Sequence, residues 1–251
     1  MRARGMRTVL GMICAIGMLA ACSTDRTLAA APPPVPVSQH IPPDFDTTFR
    51  WIASPALDLF GPEGTFVRAY VESFELANAG ESVSWGYDGF VQASPSNIAT
   101  MIGFYPPDVS AARPGVGTAF FTALRRMDEG DWTRIVLCRY GYHSVRDGAD
   151  VSAPWSSETD APRPVEIDFR RSDSAPPTVI RGTQRAPENN VFGGWYTTRY
   201  DFSAVYPTPT DDQKACTASI PAEVPQRAAA RGVKPWPAMS PSPGWSTTIA
   251  L

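Results

Sequence analysis

Few side chains in this 251-residue chain have the types and spacing that chemistry requires. A serine hydrolase needs a serine, a histidine and an acid that converge, and the sequence contains no G-x-S-x-G nucleophile elbow. Of two histidines, His40 falls in a proline-rich run, which leaves His143 in "RYGYHSVRD" as the candidate general base. Beside Tyr140 and Tyr142 at a strand end, it equally suits a hydrogen-bonded structural role. Glu72 and Glu75 stand three apart in "RAYVESFELA" and on a helix would face the same way. Glycoside hydrolases place two carboxylates about 5 Å apart, or about 6.5–9.5 Å for inversion, usually across a cleft. Next to Arg68, this pair reads instead as a solvated helix face. Asp147 and Asp150 resemble the start of a calcium loop, but the D-x-D-x-D-G order is missing, and the stretch reads as a turn. "RPGVGT" lacks the lysine of a phosphate-binding loop and reads as a simple helix start. The remaining signal is aromatic. Trp85 and Tyr87 in "SWGYDGF", with Trp195 and Tyr196 in "GGWY", are candidates to line a groove for sugar rings or a peptide.

Positioning these residues falls to a helix followed by strands. "FGPEGTFVRAYVESFELANAG" carries Pro62 and Glu63 in a first turn and Gly80 at a stop. Phe66, Tyr70, Phe74 and Ala77 recur at helical spacing and form one apolar stripe. A second short helix is expected from about Thr118 to Asp128, with Phe120, Phe121 and Leu124 inward. Strands follow. In "DWTRIVLCRYGYHSV", Val136, Cys138, Tyr140 and Tyr142 alternate with Ile135 and Leu137. In "PVEIDFRRS", Val165, Ile167 and Phe169 alternate with Glu166, Asp168 and Arg170. "GGWYTTRYDFSAVYP" sets Tyr196, Tyr200, Phe202 and Tyr206 on one side. Ser82 to Ala93 and "TMIGFYP" read as further strands, and Asp147 to Arg163 as a long Pro-rich loop. Helix before strands, without βαβ alternation, predicts an α+β domain: two helices on a mostly antiparallel sheet, with Pro-rich irregular ends. That order is compatible with a cystatin-like or NTF2-like cone, an analogy that carries no function.

The N-terminus supplies an address. Arg2, Arg4 and Arg7 precede the apolar run "TVLGMICAIGMLAA", which has signal-peptide length and falls short of the roughly 20 residues of a membrane span. Leu19-Ala20-Ala21-Cys22 then resembles the lipobox of bacterial lipoproteins. The resemblance implies a diacylglyceryl group on Cys22, cleavage before it, and anchoring on the extracytoplasmic face of the cell membrane. Two acyl chains hold a protein stably where one does not. "SPALDL" and "GPEGTFVRAYVESFELA" are similar to stretches of actinobacterial lipoproteins of unknown function, and arginine outnumbers lysine 20 to 2, as in a GC-rich genome. The expected organisation is a signal peptide over 1–21, a lipid-anchored Pro-rich tether over 22–47, a globular domain over 48–220 and an irregular Pro-rich tail over 221–251. In the tail, Trp236 and Trp245 are the residues able to strap it down.

With Cys14 lost in the leader and Cys22 lipidated, Cys138 and Cys216 remain, and an oxidising compartment favours a disulfide between them. That leaves no ligand set for a typical zinc site, and neither metal nor cofactor is expected. Loss of three leader arginines and no acid takes the formal charge from −3 to −6. Such a chain is not a nucleic-acid binder, which would show a clustered basic face. The expectation is a non-catalytic binding or interaction module at the cell envelope. Its partners are the bilayer, through Cys22, and an envelope protein or glycan. The alternatives are an envelope hydrolase working through His143 or Glu72 and Glu75, and a carrier of a small apolar ligand.

Overall fold

The computed structural model describes residues 40–104, 114–148, 150–178, 180–201 and 210–246. The leader, the lipobox and the tether up to residue 39 lie outside them, as do Phe202 and Tyr206. The described chain begins earlier than expected. His40 is buried against Tyr87, and the first strand, β1, spans Phe45–Ile52.

Helix α1 covers Pro62–Ala79. Pro62 opens it where its missing N–H costs nothing, Glu63 meets the positive end of the dipole, and the Gly80 N–H closes it on Leu76 O. Its surroundings differ from those of a one-striped helix. Thirteen of its 18 residues are buried, Arg68 and Glu72 among them. The face assigned to solvent is covered by the C-terminal segment and the 180–185 loop, so the solvated-face reading of Arg68, Glu72 and Glu75 is corrected. Phe66 packs on Phe169 and Trp195, and Tyr70 on Phe90 and Tyr200. Each such fully buried side chain contributes about 1.5–3 kcal/mol relative to exposure.

A 3₁₀ turn at Val83–Trp85 and helix α2, Ile98–Phe104, occupy the two stretches read as early strands. The larger correction concerns Thr118 to Asp128, which is strand rather than helix. Strand β2, Gly115–Glu129, pairs in parallel with β1 and antiparallel with β3, Trp132–Arg146. Phe120 and Phe121 are both buried because both faces of the sheet are covered, and adjacent apolar residues then mimic helical spacing. Gly115 and Gly117 at its start oppose a helix there.

β3 is the spine of the seven-stranded sheet. Its first half pairs with β5, Arg163–Arg170, and its second half with β4, Trp155–Thr159. β6, Tyr196–Asp201, lies outside β5, and β7, Ala230–Gly232, outside β4. All pairs except β1–β2 are antiparallel, so the chain is α+β with a mostly antiparallel sheet. β4 falls within the stretch expected to be a long loop. The β3 alternation sorts as its pattern predicts. Ile135 and Leu137 join α1 in the main core, while Cys138, Tyr140 and Tyr142 face a smaller core on the other side. Helix α3, Asp211–Ala218, covers that second core, and the Cys138–Cys216 disulfide ties it to β3.

The C-terminal segment is largely irregular yet firmly placed. Ser242 exchanges backbone hydrogen bonds with the outer edge of β1, at Phe49 and Trp51. Gly182 and Gln184 pair with Gly244 and Trp245. Trp245 is 1% exposed, and its ring lies 4.4 Å from the Arg68 guanidinium.

Candidate functional site

The site forms where β4 and β5 fail to make one continuous strand. Thr159 sits opposite Tyr142 and Arg163 opposite Arg139, so Asp160, Ala161 and Pro162 face only Tyr140 and Gly141. Three residues against two make a bulge, which bends the strand and re-aims its side chains. Pro162 cannot donate to the ladder, which favours the break at this point. The Asp160 N–H still reaches Gly141 O at 2.8 Å. Gly141 is required there, because a Cβ would meet Thr118 O at 2.5 Å and Asp160 Oδ2 at 3.1 Å. Together Ala119 and Gly141, paired across β2 and β3, leave room over the sheet just beyond the last turn of α1.

That room is a cavity of about 400 Å³ lined by Phe45, Glu75, Asn78, Ala119, Arg139 and His143, with the break residues 158–163. A chain of charges runs along its wall. Arg139 donates from Nε and Nη2 to Glu75, at 3.0 and 3.3 Å, and from Nη1 to Asp160 at 2.7 Å. His143 Nδ1 lies 2.6 Å from Asp160 Oδ1, and its Nε2 lies 3.2 Å from Glu158 Oε1. With a carboxylate at each ring nitrogen, both nitrogens are donors, which is the imidazolium form.

The electrostatics agree with that geometry. The hydrogen bond that His143 donates to Asp160 raises the His143 pKa above its ordinary value, against the opposing effect of burial, with Glu158 assisting. Burial would raise the Asp160 carboxyl, but the His143 hydrogen bond and the Arg139 charge hold it below the carboxylate range. Arg139, desolvated yet held between Glu75 and Asp160, stays firmly protonated. Arg163 goes the other way, lowered first by the neighbouring Arg139 charge and then by burial.

The sequence candidates fall in different places. His143 and Glu75 line this cavity, whereas Glu72 does not. Glu72 is 2% exposed, and its carboxylate accepts from Trp51 Nε1, Tyr87 Oη and Trp245 Nε1, each at 2.7 Å. A buried, fully engaged acid cannot pair with Glu75 across a substrate. The four aromatics do not form a groove either. Tyr87 is in the core on Glu72, and Trp195 stacks on Phe169 and donates to Ser172 O. Trp85 is half-buried with its ring against Gly80, and Tyr196 is 43% exposed. Asp147 pairs with Arg231, and Asp150 caps a turn at Ser152. Among the described residues no group of three or more His, Cys, Asp or Glu is arranged to hold a metal ion.

Sequence reasoning missed Arg139, Glu158, Asp160 and Arg163. The available signals were Arg139 and His143 four apart on one face of a strand, and "DAPRP" interrupting two alternating runs. No protein-family model, curated protein or solved structure matches the chain.

The His143–Asp160 pair predicts a pH profile. His143 faces Asp160 and Glu158 from the break and β4, and Arg139 from β3. A raised imidazole contributes stability that is complete below about pH 6.5 and lost as pH rises through its folded pKa. The depressed Asp160 contributes stability present above about pH 3.9 and lost as pH falls through its folded value. NMR titration of the imidazole signals is expected to place His143 above its ordinary value, and Asp160→Asn to return it toward or below that value. An unshifted wild-type histidine would break the assignment.

Proposed function

We propose that this protein is a lipid-tethered binding module at the extracytoplasmic face of the cell membrane, and that the cavity at the β4–β5 break is its ligand site. The observation that supports binding over catalysis is His143 itself. With both ring nitrogens against carboxylates it has no free lone pair, which a general base needs. Glu72 is sealed in the core, which removes the paired-carboxylate version of a hydrolase. The charged wall also disfavours an apolar ligand carrier. The cystatin-like or NTF2-like reading rests on α1 packed against a mostly antiparallel sheet, although β1, paired in parallel with β2, precedes the helix. The anchor rests on Leu19-Ala20-Ala21-Cys22 and on the run of basic and apolar residues before it.

The test is in-cell crosslinking with affinity capture, comparing wild type with Cys22→Ala. Wild type is expected in the membrane fraction, crosslinked to an envelope protein or glycan, and Cys22→Ala in the soluble fraction without that partner. Equal membrane retention of both forms would overturn the anchor. Capture of turned-over glycan or ester products would favour the hydrolase.

A further inference from the structure

We infer that the cavity at the β4–β5 break takes a small organic carboxylate, with Arg163 as the residue that receives its charge. This rests on the reading of that cavity as a ligand site.

Most charges on the cavity wall are already used. Glu75 and Asp160 both accept from Arg139, and Asp160 also holds His143. These four groups carry two positive and two negative charges and neutralise one another. Glu158, at the rim with its side chain 61% exposed, sits against His143 Nε2. Arg163 is different. It lines the same cavity, is half-buried, and donates no hydrogen bond to any described residue. Its Nε is buried without a partner. A guanidinium presents five N–H donors in a planar fork, and leaving a buried donor unpaired is costly. Arg139 directly opposite supplies repulsion rather than relief. An anion would satisfy both the fork and the repulsion.

Two further amide side chains belong to the same wall. Asn78 Oδ1, at the end of α1, and Gln213 Oε1, on α3, are buried without hydrogen-bond partners among the described residues, and both residues line the cavity. An amide offers either its oxygen or its NH₂ on rotation, so each can meet a carboxylate oxygen or a polar group further along a ligand. Three unspent polar groups, from α1, β5 and α3, converge on one cavity. The apolar side chains of Phe45, Ala79 and Ala119 are left for the hydrocarbon part. The volume, about 400 Å³, lies at the small end of ligand pockets.

Charge and shape choose among anions. One free cation beside three carboxylates matches a single negative charge, whereas a phosphate dianion would meet more repulsion than it relieves. The guanidinium fork also matches the two oxygens of a carboxylate in a bidentate pair.

The experiment is calorimetric titration of the full chain in mild detergent with butyrate, hexanoate and benzoate, each beside its neutral carboxamide. The carboxylates are expected to bind at least about tenfold tighter than their amides, as the loss of a charge-assisted pair implies. Arg163→Gln is expected to erase that difference, and Arg163→Lys to keep part of it. Arg170→Gln, whose native side chain pairs with Asp131 and is not part of the cavity lining, is expected to change nothing. Since the Arg163 side chain makes no hydrogen bond to a described residue, the thermal midpoint of Arg163→Gln is expected to be unchanged or raised. A structural role for the arginine would lower it, and Arg163→Lys then carries the binding comparison alone. Equal binding of acids and amides, unaltered binding by Arg163→Gln, or stronger binding of inorganic phosphate would each overturn the inference while leaving a ligand site in place. Failure of every probe would also end it, and the binding reading would then be decided by the crosslinking experiment, which uses none of these probes.

Discussion

Glu72→Ala is expected to lower the free energy of unfolding by about 3–5 kcal/mol, the range for leaving a buried charge or its partners uncompensated. The Glu72 carboxylate collects three donors: two indole N–H groups, for which it is the acceptor, and the Tyr87 hydroxyl, which can also donate to Arg185 O. Each orphaned donor costs about 1–3 kcal/mol. Arg68, fully buried one turn earlier, donates to four backbone carbonyls, and Glu72 is the acid that balances its charge. Burial pushes the Glu72 carboxyl up, while Arg68 and the three donors pull it down. A domain of this kind has about 5–15 kcal/mol in total, so the loss would be a large share of it. Urea unfolding followed by tryptophan fluorescence measures it. Trp245→Phe removes one donor and keeps most of the ring, so about 1–2 kcal/mol is expected there. If Glu72→Ala cost less than Trp245→Phe, the carboxylate would not be the hub of this network.

Reducing the Cys138–Cys216 bond is expected to cost about 4.5 kcal/mol, from the loop entropy of a 78-residue separation. The bond closes the second core, where Tyr140 Oη donates to Cys216 O and Val224 packs alongside. Comparing urea midpoints with and without dithiothreitol gives the number, and Cys138→Ser with Cys216→Ser is the control. Reduction is expected to leave α1 and the first core closest to intact, since no residue of α3 belongs to that cluster. A reduced protein as stable as the oxidised one would show that α3 is held by packing alone.

What the sequence made legible follows from how local each signal is. The bounds of α1 lie in Pro62, Glu63 and Gly80, and the faces of β3 in strict alternation. The disulfide could be read by elimination among four cysteines. The failures share one cause: burial on more than one side. β2 buries Phe120 and Phe121 together, so its period vanished. α1 is covered around most of its circumference, so Arg68 and Glu72 looked like a wet face while their partners lay 112 to 176 residues away, at Ile180, Pro243, Gly244 and Trp245. The candidate site depends on a fork in the sheet. Arg139 and Arg163 meet only because β3 pairs with two strands end to end, and no spacing in the chain announces that register.

Trp245 also sets an order of events. A chain delivered N-terminus first, whether from a ribosome or through a membrane, presents α1 well before Trp245, which lies 173 residues after Glu72. Until then Glu72 lacks one of its three donors, Arg68 lacks two of its carbonyls and its aromatic cover, and the outer edge of β1 has no pairing from Ser242. The core around Arg68 and Glu72 can therefore close only once Trp245 has been delivered. A chain lacking residues 242–245 leaves that part of the core open, so their arrival sets the moment at which it can close.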